Sequence, residues 1–216
     1  MDLGSAGKIV FDTYVPPADI WIPIIVQSVN ETSGNAPAVM KATRILEEWD
    51  RHADANSAGA TIFRFWRMAC DDLKDTRAGR DAFHVDNNRK LRGKSLIALN
   101  RAVVDLKNRY GRIDVPWGQI KRHQRGSQEW PLSGDGLGRL GMDTLRATTG
   151  VKFSNDNKLI NRGGQSTVAL VFLGKEPQIH AVVAFGQSNV PDSPHCSDQA
   201  PLFVNGQLRP VQWSAE

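Results

Sequence analysis

Hydrophobic spacing in the first half of the chain predicts amphipathic helices. Between residues 36 and 49 the apolar positions fall on one side of a helix, and Pro37 suits its first turn, where the missing N–H costs nothing. Ser57, or Asn56 before it, offers an N-cap for a second helix. These two helices and their short loop form a predicted hairpin. Three of its aromatic residues are expected in the core: Trp49, Phe63 and Trp66.

A third helix follows after a polar interval. Residues 74–92 are charged and polar, which is typical of a surface connection. Helical spacing returns over residues 94–110, and Gly111 supplies a C-cap. We therefore predict that residues 36–111 are the helical part of the chain.

The N-terminal segment shows no clear period. Pro16-Pro17 and Gly34 act as breakers around an apolar run over residues 20–26, which itself contains Pro23. We predict that residues 1–35 form an irregular segment whose apolar run needs another surface to lie against.

The second half of the chain favours strands. Residues 166–173 are β-rich with Val168, Leu170 and Phe172 on one face, and residues 178–185 form a second strand with Ile179, Ala181 and Val183 as its apolar positions. A turn-forming Gly-Lys-Glu-Pro segment between them predicts a hairpin, and Asn205-Gly206 predicts a further tight turn. Helices first and antiparallel strands later indicate an α+β fold, with residues 112–213 mainly β.

The charge pattern argues against nucleic-acid binding. The net charge is +4, but 27 basic residues are interleaved with 23 acidic ones. Only residues 121–125, Lys-Arg-His-Gln-Arg, are locally basic, and no aromatic residue among them could stack on a base. We interpret this run as a solvated face.

Membrane, metal and redox functions are not indicated either. The longest apolar run is too short to cross a bilayer, and the first five residues lack the features of a secretory signal, so the chain as written is expected to be cytoplasmic. Cys70 and Cys196 have no zinc-type spacing, and Cys70 is expected to be a buried thiol. No metal or cofactor is predicted.

Turn formers and potential catalytic groups concentrate in residues 186–203. His195 and Asp198 lie close to Ser193 and Ser197, so a carboxylate could orient the imidazole beside a hydroxyl. Catalytic triads normally gather from distant parts of a chain, and local Ser-Pro-His-x-x-Asp patterns more often hold a loop by hydrogen bonds. We favour the structural interpretation.

The same stretch reads G-x-S-x-x-P-x-S-P-H-x-x-D-Q-x-x-L-F, which resembles the C-terminal signature of the penicillin acylase family. Residues 46–63 resemble the L-x-x-W-D-x-x-x-D-x-x-S-x-G-A-x-x-F hairpin of that family. Residues 116–118, Pro-Trp-Gly, and the R-x-x-R-G and small-residue segments after them complete an ordered set over residues 36–213. Three matches in the family's order make chance resemblance hard to sustain.

The resemblance implies the C-terminal part of the β chain of an N-terminal-nucleophile hydrolase, an αββα sandwich. In this family the catalytic serine begins the β chain, and its own α-amino group is the general base. That serine and the oxyanion-stabilising groups lie before the part that aligns here. Ser5, if exposed by cleavage after Gly4, is the one weak candidate, although Ala6 replaces the family's usual asparagine.

The resemblance therefore implies no catalytic residue in the chain apart from that candidate. The residues that match family motifs are expected to be structural: Trp49, Asp50, Trp117, Gly118, Ser193, Pro194, His195, Asp198 and Gln199.

The implied function is that of a fragment. The parent would hydrolyse amides of acylated amines such as penicillins, cephalosporins and N-acyl-homoserine lactones, often in the periplasm or outside the cell. The partner would be the rest of the acylase, namely its α chain and the N-terminal part of its β chain. Two alternatives stay open: an interaction module that binds a partner through exposed apolar surface, and a basic nucleic-acid binder.

Overall fold

The structure is a computed structural model that describes residues 2–73, 89–136, 141–150 and 152–212. Its helices are α1 (Leu3–Val10), α2 (Pro16–Asn30), α3 (Pro37–Glu48), α4 (Ala58–Asp72), α5 (Arg89–Tyr110), α6 (Trp117–Ile120) and α7 (Ala200–Val204). Its strands are β1 (Lys121–Arg125), β2 (Gln128–Pro131), β3 (Thr148–Thr149), β4 (Leu159–Ile160), β5 (Gly163–Gly164), β6 (Thr167–Phe172), β7 (Gln178–Val183) and β8 (Arg209–Pro210).

The predicted helices between residues 36 and 111 are confirmed. Pro37 begins α3, and the Ser57 hydroxyl caps α4 by accepting a hydrogen bond from the Ala60 N–H. Gly111 ends α5 with a φ of 72°, a left-handed conformation that suits glycine. The third helix begins earlier than expected, at Arg89, and most of the polar connection predicted over 74–92 lies outside the described residues.

A row of aromatic side chains joins the helices. The Trp21 and Trp66 rings lie 5.2 Å apart, Trp66 stacks on Phe63 at 5.6 Å, and Phe63 lies 5.7 Å from Trp49. The Trp66 indole N–H also donates to the Ser95 carbonyl of α5 at 3.1 Å. Trp49, Phe63 and Trp66 are buried as predicted, and so is Cys70.

The prediction that residues 1–35 are irregular is wrong. Helices α1 and α2 occupy most of this segment. Pro16 stands in the first turn of α2, where its ring is compatible with the helix, and Pro23 is tolerated inside it. Burial of Trp21 and Ile25 offsets the hydrogen bond that Pro23 removes.

The hairpin of β6 and β7 is confirmed, but its inner face differs from the prediction. The strands are antiparallel, and Val168 lies opposite Val182. Both side chains are buried in a small second core with Leu132 and Phe203. Because neighbouring residues of a strand point to opposite faces, the predicted apolar positions of β7 (Ile179, Ala181 and Val183) lie on the outer face.

Three small sheets make up the strand half. Their strand orders are β2-β1-β4, β3-β5 and β6-β7-β8, and β1 runs parallel to β4 but antiparallel to β2. Loops and two short helices separate these strands, so residues 112–213 are mixed rather than mainly β. Asn205-Gly206 turns the chain out of α7, with Gly206 at a φ of 65°.

The basic run over residues 121–125 is not a solvated face. It forms β1, the central strand of its sheet, and alternation along the strand buries Lys121 and His123 completely. The His123 ring stacks on Phe185 at 4.6 Å, and its Nε2 lies 2.5 Å from the Ala184 carbonyl oxygen.

The burial of His123 should make the fold sensitive to acid. Desolvation lowers the pKa of His123 from its usual value of 6.5, and the positive charge of Arg146 acts in the same direction. Below pH 6.5 the unfolded chain therefore binds a proton that the folded chain resists, and the free energy of unfolding falls as pH falls. The free energy of unfolding of the wild-type chain should decrease between about pH 7.5 and about pH 5.5. We expect this decrease to be about 1 kcal/mol smaller in His123→Gln, which has no imidazole to protonate.

Urea unfolding of both chains at the two pH values measures this difference. His180→Gln is the matched control, since His180 lies only half-buried on β7. An unchanged pH dependence in His123→Gln would show that another group is responsible.

Candidate functional site

Two motif segments that are distant in sequence meet at the loop between α3 and α4. The Trp117 N–H donates to the Ser57 carbonyl at 2.9 Å, and the Gly118 N–H donates to the Ala55 carbonyl at 2.6 Å. A Cβ at Gly118 would lie 2.8 Å from the Ala55 and Pro131 Cβ atoms. Glycine is therefore the residue that allows this close backbone approach.

The small-residue segment after β2 closes the same loop from the other side. The Gly134 N–H donates to the Ala53 carbonyl at 2.7 Å, and the Ser133 hydroxyl accepts from the Ala55 N–H at 3.0 Å. The buried Trp117 indole N–H donates to the Gly134 carbonyl at 2.9 Å. Backbone pairing thus connects all three segments.

Trp49 and Asp50 shape the start of this loop. The Trp49 indole N–H donates to the His52 carbonyl at 2.9 Å, and the Asp50 carboxylate accepts from the His52 N–H at 3.0 Å. Between them Arg51 has a φ of 66°, which is uncommon for a residue with a side chain. The two motif side chains hold the turn in this conformation.

A buried ionic cluster lies beneath the loop. The Asp135 carboxylate accepts from Arg64 Nε at 2.8 Å and from Lys121 Nζ at 3.2 Å, and Lys121 Nζ also donates to the Thr148 carbonyl at 2.5 Å. Burial lowers the pKa of Lys121, and the charge of Asp135 opposes that effect. No sequence pattern predicts this cluster, because Arg64 and Asp135 are 71 positions apart.

The C-terminal motif forms a separate, exposed loop. His195 Nδ1 lies 3.0 Å from the Asp198 carboxylate, and the Ser193 hydroxyl accepts from the His195 backbone N–H at 3.2 Å. The Ser197 hydroxyl donates to the Gln128 side chain at 2.6 Å. In the described part of the chain, the imidazole therefore has no hydrogen bond to either serine hydroxyl, and 67% of its side chain is exposed.

Gln199 and Gly186 anchor that loop to the second core. Gln199 accepts from the Val183 N–H through its side chain at 3.1 Å and donates to the Phe185 carbonyl through its backbone at 2.8 Å. A Cβ at Gly186 would lie 2.1 Å from the His195 carbonyl oxygen. Pro194 is exposed at the turn itself.

Ser5 lies in the first turn of α1. Its backbone N–H donates to the Asp2 carboxylate at 2.8 Å, and its hydroxyl donates to the other carboxylate oxygen at 3.3 Å. The backbone hydrogen bond is the main reason that the pKa of Asp2 is lowered. Ser5 is exposed, and its nitrogen is an amide N–H of a helix.

A cleft of about 630 Å³ lies beneath α1, and Gly4 lines it. Its polar lining includes four residues from distant parts of the chain, of which only Asp54 belongs to a sequence motif: Thr13, His52, Asp54 and Arg146. The Thr13 hydroxyl donates to Asp54 at 2.7 Å and lies 3.2 Å from His52 Nδ1. Thr13 is only 6% exposed, so this network is suited to positioning the loop rather than to attacking a substrate.

Arg146 forms the inner wall of that cleft. Its guanidinium donates to the Phe203 and Val204 carbonyls at 2.7 and 2.9 Å, which ties the cleft to the C-terminal end of α7. Burial lowers the pKa of Arg146 to about 10. Across the described ranges, no group of three or more metal-ligating side chains comes together.

Comparison with known proteins identifies the family. A family model described as penicillin amidase matches residues 1–216. The chain belongs to the penicillin amidase family. The match includes α1 and α2, so the segment before residue 36 is part of the family region.

Two relatives show how much of the family's length the chain covers. The acyl-homoserine lactone acylase PvdQ of Pseudomonas syringae pv. syringae is 23% identical over an alignment of 240 residues that covers 99% of this chain and 30% of that protein. A solved structure of a thermostable penicillin G acylase from Alcaligenes faecalis aligns with 94% of this chain and 44% of its own at 15% identity and a TM-score of 0.46. The chain thus spans less than half of the PvdQ protein and less than half of the aligned chain in that solved structure.

The close contact between Gly59 and Trp49 allows the packing of α4 in the family hairpin to be tested. A Cβ at Gly59 in α4 would lie 2.3 Å from the Trp49 ring, whereas a Cβ at Gly93 in α5 would meet nothing within 4 Å. We expect Gly59→Ala to lower the free energy of unfolding by about 1–3 kcal/mol through overpacking. Gly93→Ala, the matched control, should raise it by up to about 1 kcal/mol because alanine favours helix.

Chemical denaturation of the three chains provides the comparison. Equal effects of the two substitutions would mean that Trp49 does not pack against α4 as described.

Proposed function

We propose that this chain is the C-terminal portion of a penicillin-acylase-like β chain and that it buttresses an αββα sandwich whose reactive groups lie elsewhere. The observation that carries the proposal is the family match over residues 1–216 in a chain that spans 30% and 44% of two relatives. The motif residues would be structural, in keeping with their hydrogen bonds to backbone groups of neighbouring loops.

The sheet of β6, β7 and β8 supports this proposal because it is apolar on both faces. Its inner face packs Val168 and Val182 into the second core. On its outer face Val171 is 53% exposed and Val211 39% exposed, and Leu173 just beyond β6 is 90% exposed. Sheets that are apolar on both sides are normally covered on both sides. A further layer over the outer face is what a sandwich would supply.

The parent enzyme would hydrolyse the amide of an acylated amine. The family relatives are named as acyl-homoserine lactone and penicillin G acylases. In the mechanism that the resemblance implies, the nucleophile is a serine with a free α-amino group, and the Ser5 nitrogen is a helix amide that donates to Asp2. The complete site would therefore need the partner portion of the acylase.

We expect the purified 216-residue chain to release no amine from penicillin G or from an N-acyl-homoserine lactone above a buffer blank. Co-expression with the sequence encoded directly before it should give activity if that sequence holds the family's nucleophile. Mass spectrometry should show Ser5 still within an intact chain. Hydrolysis by the chain alone that disappears in Ser5→Ala would contradict the proposal.

An interaction module is the second candidate, favoured by the same exposed sheet face. On either proposal, the isolated chain should self-associate at micromolar concentrations through this apolar surface. We expect Val171→Thr with Val211→Thr to weaken self-association in sedimentation velocity and to reduce binding of a hydrophobic dye.

Val104→Thr is the matched control, because Val104 is 56% exposed but lies on α5, away from the sheet. If the wild-type chain is monomeric and binds no dye, this contradicts the idea that another layer or a partner covers the outer face of the sheet. Capture of a partner in the absence of acylase sequences would favour the interaction module over the split enzyme.

A further inference from the structure

A second cleft, of about 500 Å³, lies where β1, β5 and β7 end. We call it the Asn161 cleft. The residues that line it include Arg125, Asn161, Arg162, Gly163 and Phe185. It shares none of its lining residues with the cleft beneath α1. Its volume falls within the range of small-molecule sites in proteins.

Asn161 lines the cleft as a buried polar residue. The residue is only 7% exposed, and its backbone N–H is fixed by donation to the Arg122 carbonyl at 2.7 Å. Its side-chain oxygen is fully shielded and has no hydrogen-bond partner among the described residues.

The positive charge of the lining residues favours an anionic ligand. Arg125 and Arg162 both line it, and none of its lining residues is Asp or Glu. Arg125 is held in place, because its guanidinium lies 5.0 Å from the centre of the Phe185 ring and donates to the Asn189 side chain at 3.0 Å. A positioned guanidinium suits the paired oxygens of a carboxylate or phosphate.

Gly163 keeps the cleft open. A Cβ at this position would meet only the Thr149 Cβ, at 4.0 Å, so a larger side chain would occupy free space at the cleft. The Phe185 ring stacks on His123 and lies beneath the Arg125 guanidinium, so it supports that arginine. A ligand could thus place an anionic group beside the two arginines.

We propose that the Asn161 cleft binds a small organic anion. Arg125 and Arg162 hold its carboxylate or phosphate oxygens. This site is independent of the proposed amide hydrolysis, since it requires neither the nucleophile nor the partner portion of an acylase.

Titration of the full chain with benzoate and with inorganic phosphate, followed by NMR and calorimetry at low salt, tests the site. Benzamide is the neutral probe of the same shape as benzoate. We expect saturable binding of at least one anion, weakened about tenfold or more by Arg162→Gln. Arg101→Gln, on the exposed face of α5, should leave binding unchanged because it alters only the net charge.

Gly163→Val gives a variant that keeps every polar group and should block binding by filling the cleft. Binding of benzoate alone identifies a carboxylate site and binding of phosphate alone a phosphate site, and either supports the proposal. It is overturned if neither anion saturates by roughly 20 mM. It is also overturned if benzamide binds as tightly as benzoate, or if Arg162→Gln and Gly163→Val bind as wild type.

Discussion

The buried carboxylate of Asp135 joins the two halves of the molecule. It receives hydrogen bonds from Arg64 on α4 and from Lys121 on β1, and all three side chains are at most 3% exposed. Removing one member would leave a buried charge without its partner, which costs about 3–5 kcal/mol in comparable cases. The orientation of the helices against the strands therefore depends on this cluster, which connects α4 to β1.

Around that cluster, the family motifs act through the backbone. Trp117 and Gly118 pair with the loop between α3 and α4, and Gly134 pairs with the same loop from the opposite side. In the C-terminal loop, the Gln199 side chain likewise accepts a hydrogen bond from a backbone N–H, that of Val183 in β7. Residues selected for such contacts are expected to be restricted in type, which gives a structural explanation for a recognisable pattern without assigning any of them to catalysis.

The strand half leaves one apolar face of a sheet uncovered. The sheet of β6, β7 and β8 buries Val168 and Val182 on one face, whereas Val171 on the other face is 53% exposed. The helices and strands nevertheless share the larger core, since Met142 and Leu159 are buried in one cluster with side chains of α2 to α5. Membership of the penicillin amidase family and the exposed sheet face are the reasons for proposing that further protein covers this face.

The sequence by itself determined the family, the helices between residues 36 and 111, their caps at Ser57 and Gly111, and the β6–β7 hairpin, because periodicity and turn chemistry are local. Only the tertiary structure decided the rest. Helix α2 forms despite Pro23 because its apolar side is buried, and Lys121 and His123 are buried because β1 is the central strand of its sheet. The ionic cluster and the two clefts depend on residues that are far apart in the chain, and no local pattern records such contacts.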